Sequence, residues 1–383
     1  MLYFDNAATS WPKPAGVIAE VERTMRYKGG NPSRGGHVLS MAAGGAVYRT
    51  RAALGSHFGA EPERVIFFPG ASYALNAAMR CGIPSGSHFL ISNFEHNAVR
   101  RTAIALERSG FHFDIFNALG SAEQVMESIR SKTHRNTKAI ICLHASNVVP
   151  LILPIQEIGA YCREKGLLFI VDGAQSGGHI PIDIEKMNID ALCLPGHKGL
   201  LGPQGCGCMI LSRRMAERMA QAEPMITGGS GIDSFSAEMP AVLPERFEAG
   251  TLPTPALAGL FAGVRTVQQA GYEAIMEREH GIYDYLRRGL LNLPSVTLYL
   301  PEVTKGNLLL FNYKERSAER AGEWFDKEGV CLRAGYHCAP LAHEAIGTPG
   351  GGALRIGIGV ANTMAQAEKL MDMIYKGSKA GDM

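Results

Sequence analysis

In this chain of 383 residues, 38 Lys and Arg nearly balance 36 Asp and Glu, so no net field selects nucleic acid or an anionic membrane as partner. The length allows two domains and a large core, 45 glycines with 19% charged residues suit a glycine-rich α/β enzyme, and no apolar run approaches the ~20 residues needed to span a bilayer. The eight cysteines are scattered, as expected of reduced thiols in a cytoplasmic protein, and Met1–Asp5 opens no signal peptide.

Taken in order, Tyr3–Thr9 reads as extended, and Pro14 suits the first turn of a helix running to about Tyr27. The polar glycine loop Gly29–His37 precedes a long helix from Leu39 to about Phe58. From Val65 to Leu211 short apolar runs alternate with amphipathic segments. Strands are expected at Val65–Phe68, His88–Ser92, Phe111–Phe116, Lys138–His144, Leu167–Asp172, Ala191–Leu194 and Cys206–Leu211, with helices such as Ala122–Ser131 and Ile155–Lys165 between them. That rhythm predicts a mostly parallel sheet with helices on both faces. After a Gly/Ser/Pro-rich stretch, Thr227–Pro255, come helices near Pro255–Ala270 and Tyr272–Leu291. A compact α+β unit follows, with strands near Val296–Leu300, Asn307–Asn312, Val330–Arg333 and Ala353–Ile358 and helices near Ser317–Lys327 and Met364–Tyr375. The expected division is a large domain over 15–254 and a small domain over 255–383, onto which residues 1–14 pack. Cys206 and Cys208 are too closely spaced for a standard zinc pair, and no metal site is expected.

Two stretches carry the chemistry. Leu167–Val171 ends in Asp172-Gly173-Ala174-Gln175, a carboxylate at the C-terminal end of a buried strand, where open α/β sheets bind ligands. Leu194–Pro203 sets Lys198 beside His197 between an apolar run and a Gly-Pro turn. A lysine desolvated there loses basicity and can form a Schiff base, although an ordinary solvated loop lysine fits the segment alone. Pyridoxal phosphate (PLP) enzymes need both parts, a lysine for the cofactor aldehyde and an acid against the pyridinium nitrogen. Asp172-Gly-Ala-Gln175 followed by Gly196-His197-Lys198 resembles the class V aminotransferase family, and within it the cysteine desulfurase and selenocysteine lyase branch. The pattern covers nearly the whole chain.

The resemblance implies the type I PLP-dependent transferase fold and a role for each matching residue. Pro69–Tyr73 opens a helix after a strand, and Ala71 and Ser72 stand where the family cradles the phosphate. His96 matches the imidazole that stacks on the pyridine ring and shuttles protons. Asn147 matches the partner of the phenolic oxygen, with Gln175 as its companion, and small Ala174 lets the ring lie flat opposite His96. Lys198 would carry the cofactor, and His197 would help hold the phosphate. Pro195 departs from the usual Ser or Thr, so either His197 and Ser72 suffice or cofactor affinity is reduced. Arg34 and His37 match a loop that reaches the active site, and Thr251 matches a residue that crosses a two-fold interface to the partner's phosphate, implying a homodimer. Arg333-Ala-Gly-Tyr-His-Cys338 resembles the Arg-x-Gly-x-His-Cys signature of type II desulfurases, in which Arg333 and His337 would favour a Cys338 thiolate. The alternative for such a thiol is a buried small apolar residue, as expected for Cys81, Cys142, Cys162 and Cys193. Arg355 matches the arginine that grips the substrate carboxylate, with Arg333, Asn147 and His37 also toward substrate.

The implied activity converts L-cysteine to L-alanine, with sulfur held on Cys338 as persulfide for passage to a protein acceptor. The same parts would serve a selenocysteine lyase, or a class V aminotransferase or lyase acting on another amino acid. A non-catalytic sulfur-relay scaffold is the reading of a different class, and loss of cofactor absorbance would single it out.

Overall fold

The computed structural model describes residues 1–33, 35–303, 306–348 and 350–379. Arg34, singled out above, lies outside the described residues, as do the last four of the expected small domain.

The chain opens with β1 (Leu2–Tyr3), then α1 (Ala15–Tyr27) and α2 (Val38–Phe58). Pro14 stands at the N-cap of α1, and Gly59 ends α2 in the left-handed region at φ 80°, which a glycine enters without a Cβ clash. Strand and helix then alternate: β2 (Val65–Phe68), α3 (Ala71–Gly82), β3 (His88–Ser92), α4 (Asn97–Glu107), β4 (His112–Phe116), α5 (Ala122–Lys132), β5 (Thr137–Leu143), α6 (Ile155–Lys165) and β6 (Leu168–Asp172). Ser121 and Gln124 start α5 with a reciprocal capping box. Next come β7 (Ala191–Pro195), β8 (Gly207–Leu211) and α7 (Arg213–Gln221). Two long helices, α8 (Thr254–Ala270) and α9 (Tyr272–Leu291), lead to β9 (Val296–Leu298), β10 (Leu308–Tyr313), α10 (Ala318–Lys327), β11 (Val330–Cys331), β12 (Arg333–Gly335), α11 (Pro340–Ala345), β13 (Ala353–Gly357) and α12 (Met364–Lys379).

Among the described residues the large sheet has seven strands in the order β2-β8-β7-β6-β5-β3-β4, and only β8 runs antiparallel to its neighbours. Its strands are apolar on both faces, which is why the sequence shows runs rather than alternation. Phe67, Ile140, Phe169, Val171 and Ile210 face one core with α2, α5, α6 and α8. Ile66, Ile91, Ile141, Ile170 and Met209 face the other with α3, α4 and α7. Each such side chain, fully buried, contributes roughly 1.5–3 kcal/mol.

The small domain holds a four-stranded antiparallel sheet in the order β12-β13-β10-β9, covered by α9, α10 and α12. β1 pairs in parallel with β11, so the N-terminus packs on this domain. The single strand expected over Val330–Arg333 is two: β11 joins β1, and β12 joins the small sheet. Leu257, Leu260 and Val264 of α8 belong to the large-sheet core, whereas the small core begins at Ile282 of α9. On that packing we propose a domain boundary near Gly271 rather than at 254/255. No helix among the described residues is long and apolar enough to cross a membrane, and all eight cysteines are free.

Candidate active site

A cleft of about 340 Å³ opens where β3, β5, β6 and β7 end. His96 follows β3, Asn147 follows β5, Asp172 closes β6 and Lys198 follows β7, so one end of the sheet gathers residues distant in sequence. Ala71 and Ser72 at the start of α3, Ala174 and Gln175 after β6, and Pro195 and His197 also line it.

Burial sets the protonation states. It drives Lys198 down to about 8; Asp172 opposes the shift, while Arg355 and Arg333 extend it. His96 falls to about 4 through burial and the nearby Lys198 and Arg333 charges, so it is uncharged at neutral pH. Its Nδ1 accepts the Ala98 N–H at 3.0 Å, capping α4 and leaving Nε2 as the atom able to exchange a proton. Asp172 is raised by burial, against which the Ala174 N–H (2.9 Å to Oδ1) and Lys198 favour the carboxylate. Glu95, beside His96 in sequence, is fully buried and pushed up to about 8, so it holds its proton at neutral pH and adds no anion next to Asp172.

The residues fit pyridoxal phosphate. α3 begins at Gly70 with no side-chain cap among the described residues, so its first N–H groups are available to an anion, with Ser72 beside them. Asn147 Oδ1 is buried without a partner among the described residues, a vacancy that a ring hydroxyl would satisfy.

The N-terminal segment, read from sequence only as extended, is part of the site. Thr9 Oγ1 lies 3.0 Å from His197 Nδ1, and the His197 carbonyl accepts from Ser10 Oγ at 3.1 Å and Lys13 Nζ at 2.8 Å. Gln175 donates to the Ala7 carbonyl at 3.0 Å, so the lysine loop and the turn after Asp172 are strapped by one segment, Ala7–Lys13. The signal was there in the polar pair Asp5-Asn6 inside an otherwise apolar extension.

The small domain supplies the facing wall. Arg333 and Arg355 are paired across β12 and β13, and Arg333 Nη2 lies 3.6 Å from Cys338 Sγ. His337 and Cys338 both adopt left-handed backbone, at φ 50° and 58°, a strained state for residues with a Cβ. Four contacts hold it: Asn97 N–H donates to the Cys338 carbonyl at 2.7 Å, Asn147 Nδ2 donates to the His337 carbonyl at 2.6 Å, and the His337 ring joins Arg333 O and His343 Nε2, each at 3.1 Å. The first contact sets Cys338 next to His96. His337 does not provide the expected positive charge, because burial and then Arg355 push it down to about 2; the cation beside Cys338 is Arg333. Cys142, Cys162 and Cys193 are buried and raised by that burial, as expected of packing thiols; Cys81 is half-buried.

Arg355 is only 1% exposed, and its fork is already used: Nη1 donates to the Asn147 carbonyl and Nη2 to Asp5 Oδ1, both at 2.7 Å. Nε has no partner among the described residues, so a substrate carboxylate would meet that edge or displace Asp5. His37 caps α2, its Nδ1 accepting from Ser40 N at 3.4 Å, and Thr251 Oγ1 accepts from Asn31 at 3.3 Å. Both are exposed and neither lines this chain's own cleft. A second cavity, about 440 Å³, adjoins the cleft through Ala145 and Gln175, and its charged pair, His179 with Glu279 at 3.0 Å, is already mutual.

Comparison with known proteins agrees with the fold. The family described as aminotransferase class-V matches residues 2–370. A protein of Xylella fastidiosa named probable cysteine desulfurase is 29% identical, over 98% of this chain and 90% of its own length. One of Pectobacterium atrosepticum named cysteine desulfurase is 28% identical, over 97% and 91%. The solved apo structure of a cysteine desulfurase from Thermococcus onnurineus superimposes with a TM-score of 0.90 at 26% identity, covering 99% of this chain and 94% of that one.

Proposed function

The chain belongs to the class-V aminotransferase family, and from that premise we propose that it is a PLP-dependent cysteine desulfurase. The observation that carries the reading is a thiol, Cys338, whose segment is held by hydrogen bonds from the large-domain wall. The Asn97 N–H, next to His96, donates to the Cys338 carbonyl, and Asn147 Nδ2, from the lining of the Lys198–Asp172 cleft, donates to the His337 carbonyl. Many PLP reactions use the lysine and the acid, but sulfur transfer also needs a nucleophile at the substrate sulfur.

The α3 N-terminus, Ser72 and His197 would hold the cofactor phosphate, His96 and Ala174 the ring faces, and Asp172 the ring nitrogen. Bound there, PLP supplies an electron sink next to the substrate Cα. Lys198, uncharged above about pH 8, is the base for the Cα proton. The Cys338 sulfur attacks the substrate sulfur; the S–S bond forms as the C–S bond breaks, its electrons go to carbon, and protonation there gives alanine. Arg333 gives the anionic sulfur a counter-charge. Arg355 orients the carboxylate, with Asn147 alongside.

Because Thr251 and His37 are exposed and do not line their own chain's cleft, we assign them to a partner subunit's site in a homodimer. The free cysteines support a reducing, cytoplasmic setting, and the persulfide would pass to a protein acceptor.

The test is Cys338→Ala with L-cysteine. The variant should still bind substrate, seen as a shift in cofactor absorbance, yet release little alanine. Mass spectrometry of the wild type after brief exposure to cysteine should place one added sulfur on Cys338. Alanine at the wild-type rate from the variant, with no persulfide trapped, would replace this reading with a transaminase or a lyase of another kind.

A further inference from the structure

At the end of the large sheet opposite the cleft, β3, β4 and the turn before β5 bring His88, Asp114 and His134 together. His88 Nε2 lies 3.5 Å from Asp114 Oδ2, and His134 Nε2 lies 3.1 Å from the same oxygen. The three ligand atoms all fall within 4.8 Å of one another. Ligands on a tetrahedral ion at about 2.0–2.1 Å stand about 3.3 Å apart, so two of the three separations already suit that geometry.

A surface ion pair between His134 and Asp114 would account for part of this. It does not account for His88. That residue is 6% exposed, and its Nε2 is buried, aimed at Asp114, and without a hydrogen-bond partner among the described residues. Its other nitrogen is engaged: Nδ1 lies 2.8 Å from Thr137 Oγ1, which also accepts the His134 backbone N–H at 2.7 Å. A threonine oxygen accepting from Nδ1–H selects the tautomer whose Nε2 lone pair is open, the arrangement by which an outer hydrogen bond orients a metal-binding imidazole. His134 and Asp114 are 56% and 40% exposed, which leaves a way in and space for a fourth, water ligand.

We propose that His88, Asp114 and His134 form a binding site for a divalent transition-metal cation, with zinc as the ion its two imidazoles and one carboxylate suit. Bound there, the ion ties edge strand β4 to β3 and to the turn that starts β5. His134 would bind through its Nε2 lone pair, in the tautomer that carries the proton on Nδ1.

The holoenzyme, stripped with a chelator and dialysed against Zn²⁺, should retain one equivalent per chain at this site. His134→Ala and Asp114→Asn should each bind that equivalent about tenfold or more weakly, and Thr137→Val, which keeps all three ligands, should weaken it as well. Co²⁺ in place of Zn²⁺ should give d–d bands to the red of the cofactor band without thiolate charge transfer. Equal zinc binding by wild type and the ligand variants, a thiolate charge-transfer band, or no retained zinc would overturn the site.

Discussion

The two walls of the cleft are built on different principles. The large-domain wall sets Lys198, Asp172 and His96 on parallel strand ends, where burial is the largest influence on their protonation states. The small-domain wall sets Cys338 by hydrogen bonds that cross the cleft, from Asn97 and Asn147 to a strained backbone. The first wall can serve any PLP reaction; the second gives the cleft its particular chemistry. The fold thus separates a general tool from its application.

The largest expected break in the comparison is at Lys198. Lys198→Ala should lower turnover by at least ~10²–10⁴-fold and abolish borohydride fixation of cofactor, while some PLP stays bound through its phosphate. A reduced adduct mapped to another lysine would end its role. Since burial holds Lys198 near 8, the rate at which apoprotein captures PLP should climb with pH to about 8 and then level off. A rate still climbing towards pH 10 would mean a solvated lysine.

Next in size is the anchor of the second wall. Asp5→Ala leaves Arg355 buried with one fork partner fewer and should cost about 3 kcal/mol by denaturant titration, near the low end for a broken buried pair. It also frees Nη2 for substrate, so KM for cysteine should fall among the molecules that stay folded. An unchanged unfolding midpoint would show that Asp5 is incidental.

Asn147→Ala removes the bond to the His337 carbonyl and should cost roughly 1–3 kcal/mol. The apoprotein should also alkylate Cys338 at an altered rate, a readout that involves only the second wall. The smallest effect belongs to the first wall: Pro195→Ser restores a hydroxyl at the cleft and should tighten PLP binding by roughly 0.5–1.5 kcal/mol. Equal or weaker affinity, measured by fluorescence quenching, would mean that no phosphate contact is missing there.

Much of the first wall was legible because each part sits at the end of its own apolar run. Asp172 closes Leu168–Val171 and Lys198 follows Ala191–Pro195, and a buried parallel strand advertises its C-terminal end. The second wall was legible only through the resemblance of Arg333–Cys338 to a family signature. Asp5 was missed because it meets Arg355 across 350 residues, and no local pattern encodes such a pairing. The break between β11 and β12 escaped for a similar reason: Val330–Arg333 is continuously strand-like, and only the docking of β1 divides it. His88, Asp114 and His134 are likewise unremarkable one by one, and only the parallel register of β3 and β4 makes neighbours of the first two.

The strap at residues 5–10 touches both the lysine loop and the last strand of the small sheet: Asp5 bridges Gly357, and Asn6 donates to the Gly357 carbonyl. A ribosome makes Asp5 and Asn6 long before their partners Arg355 and Gly357 on β13. The large sheet and its contacts with Ala7, Thr9 and Ser10 can form during translation, but Asp5 and Asn6 must wait for β13. Assembly therefore carries a built-in check on the small domain, since a product that stops short of β13 keeps its cofactor wall but leaves Asp5 and Asn6 without their partners.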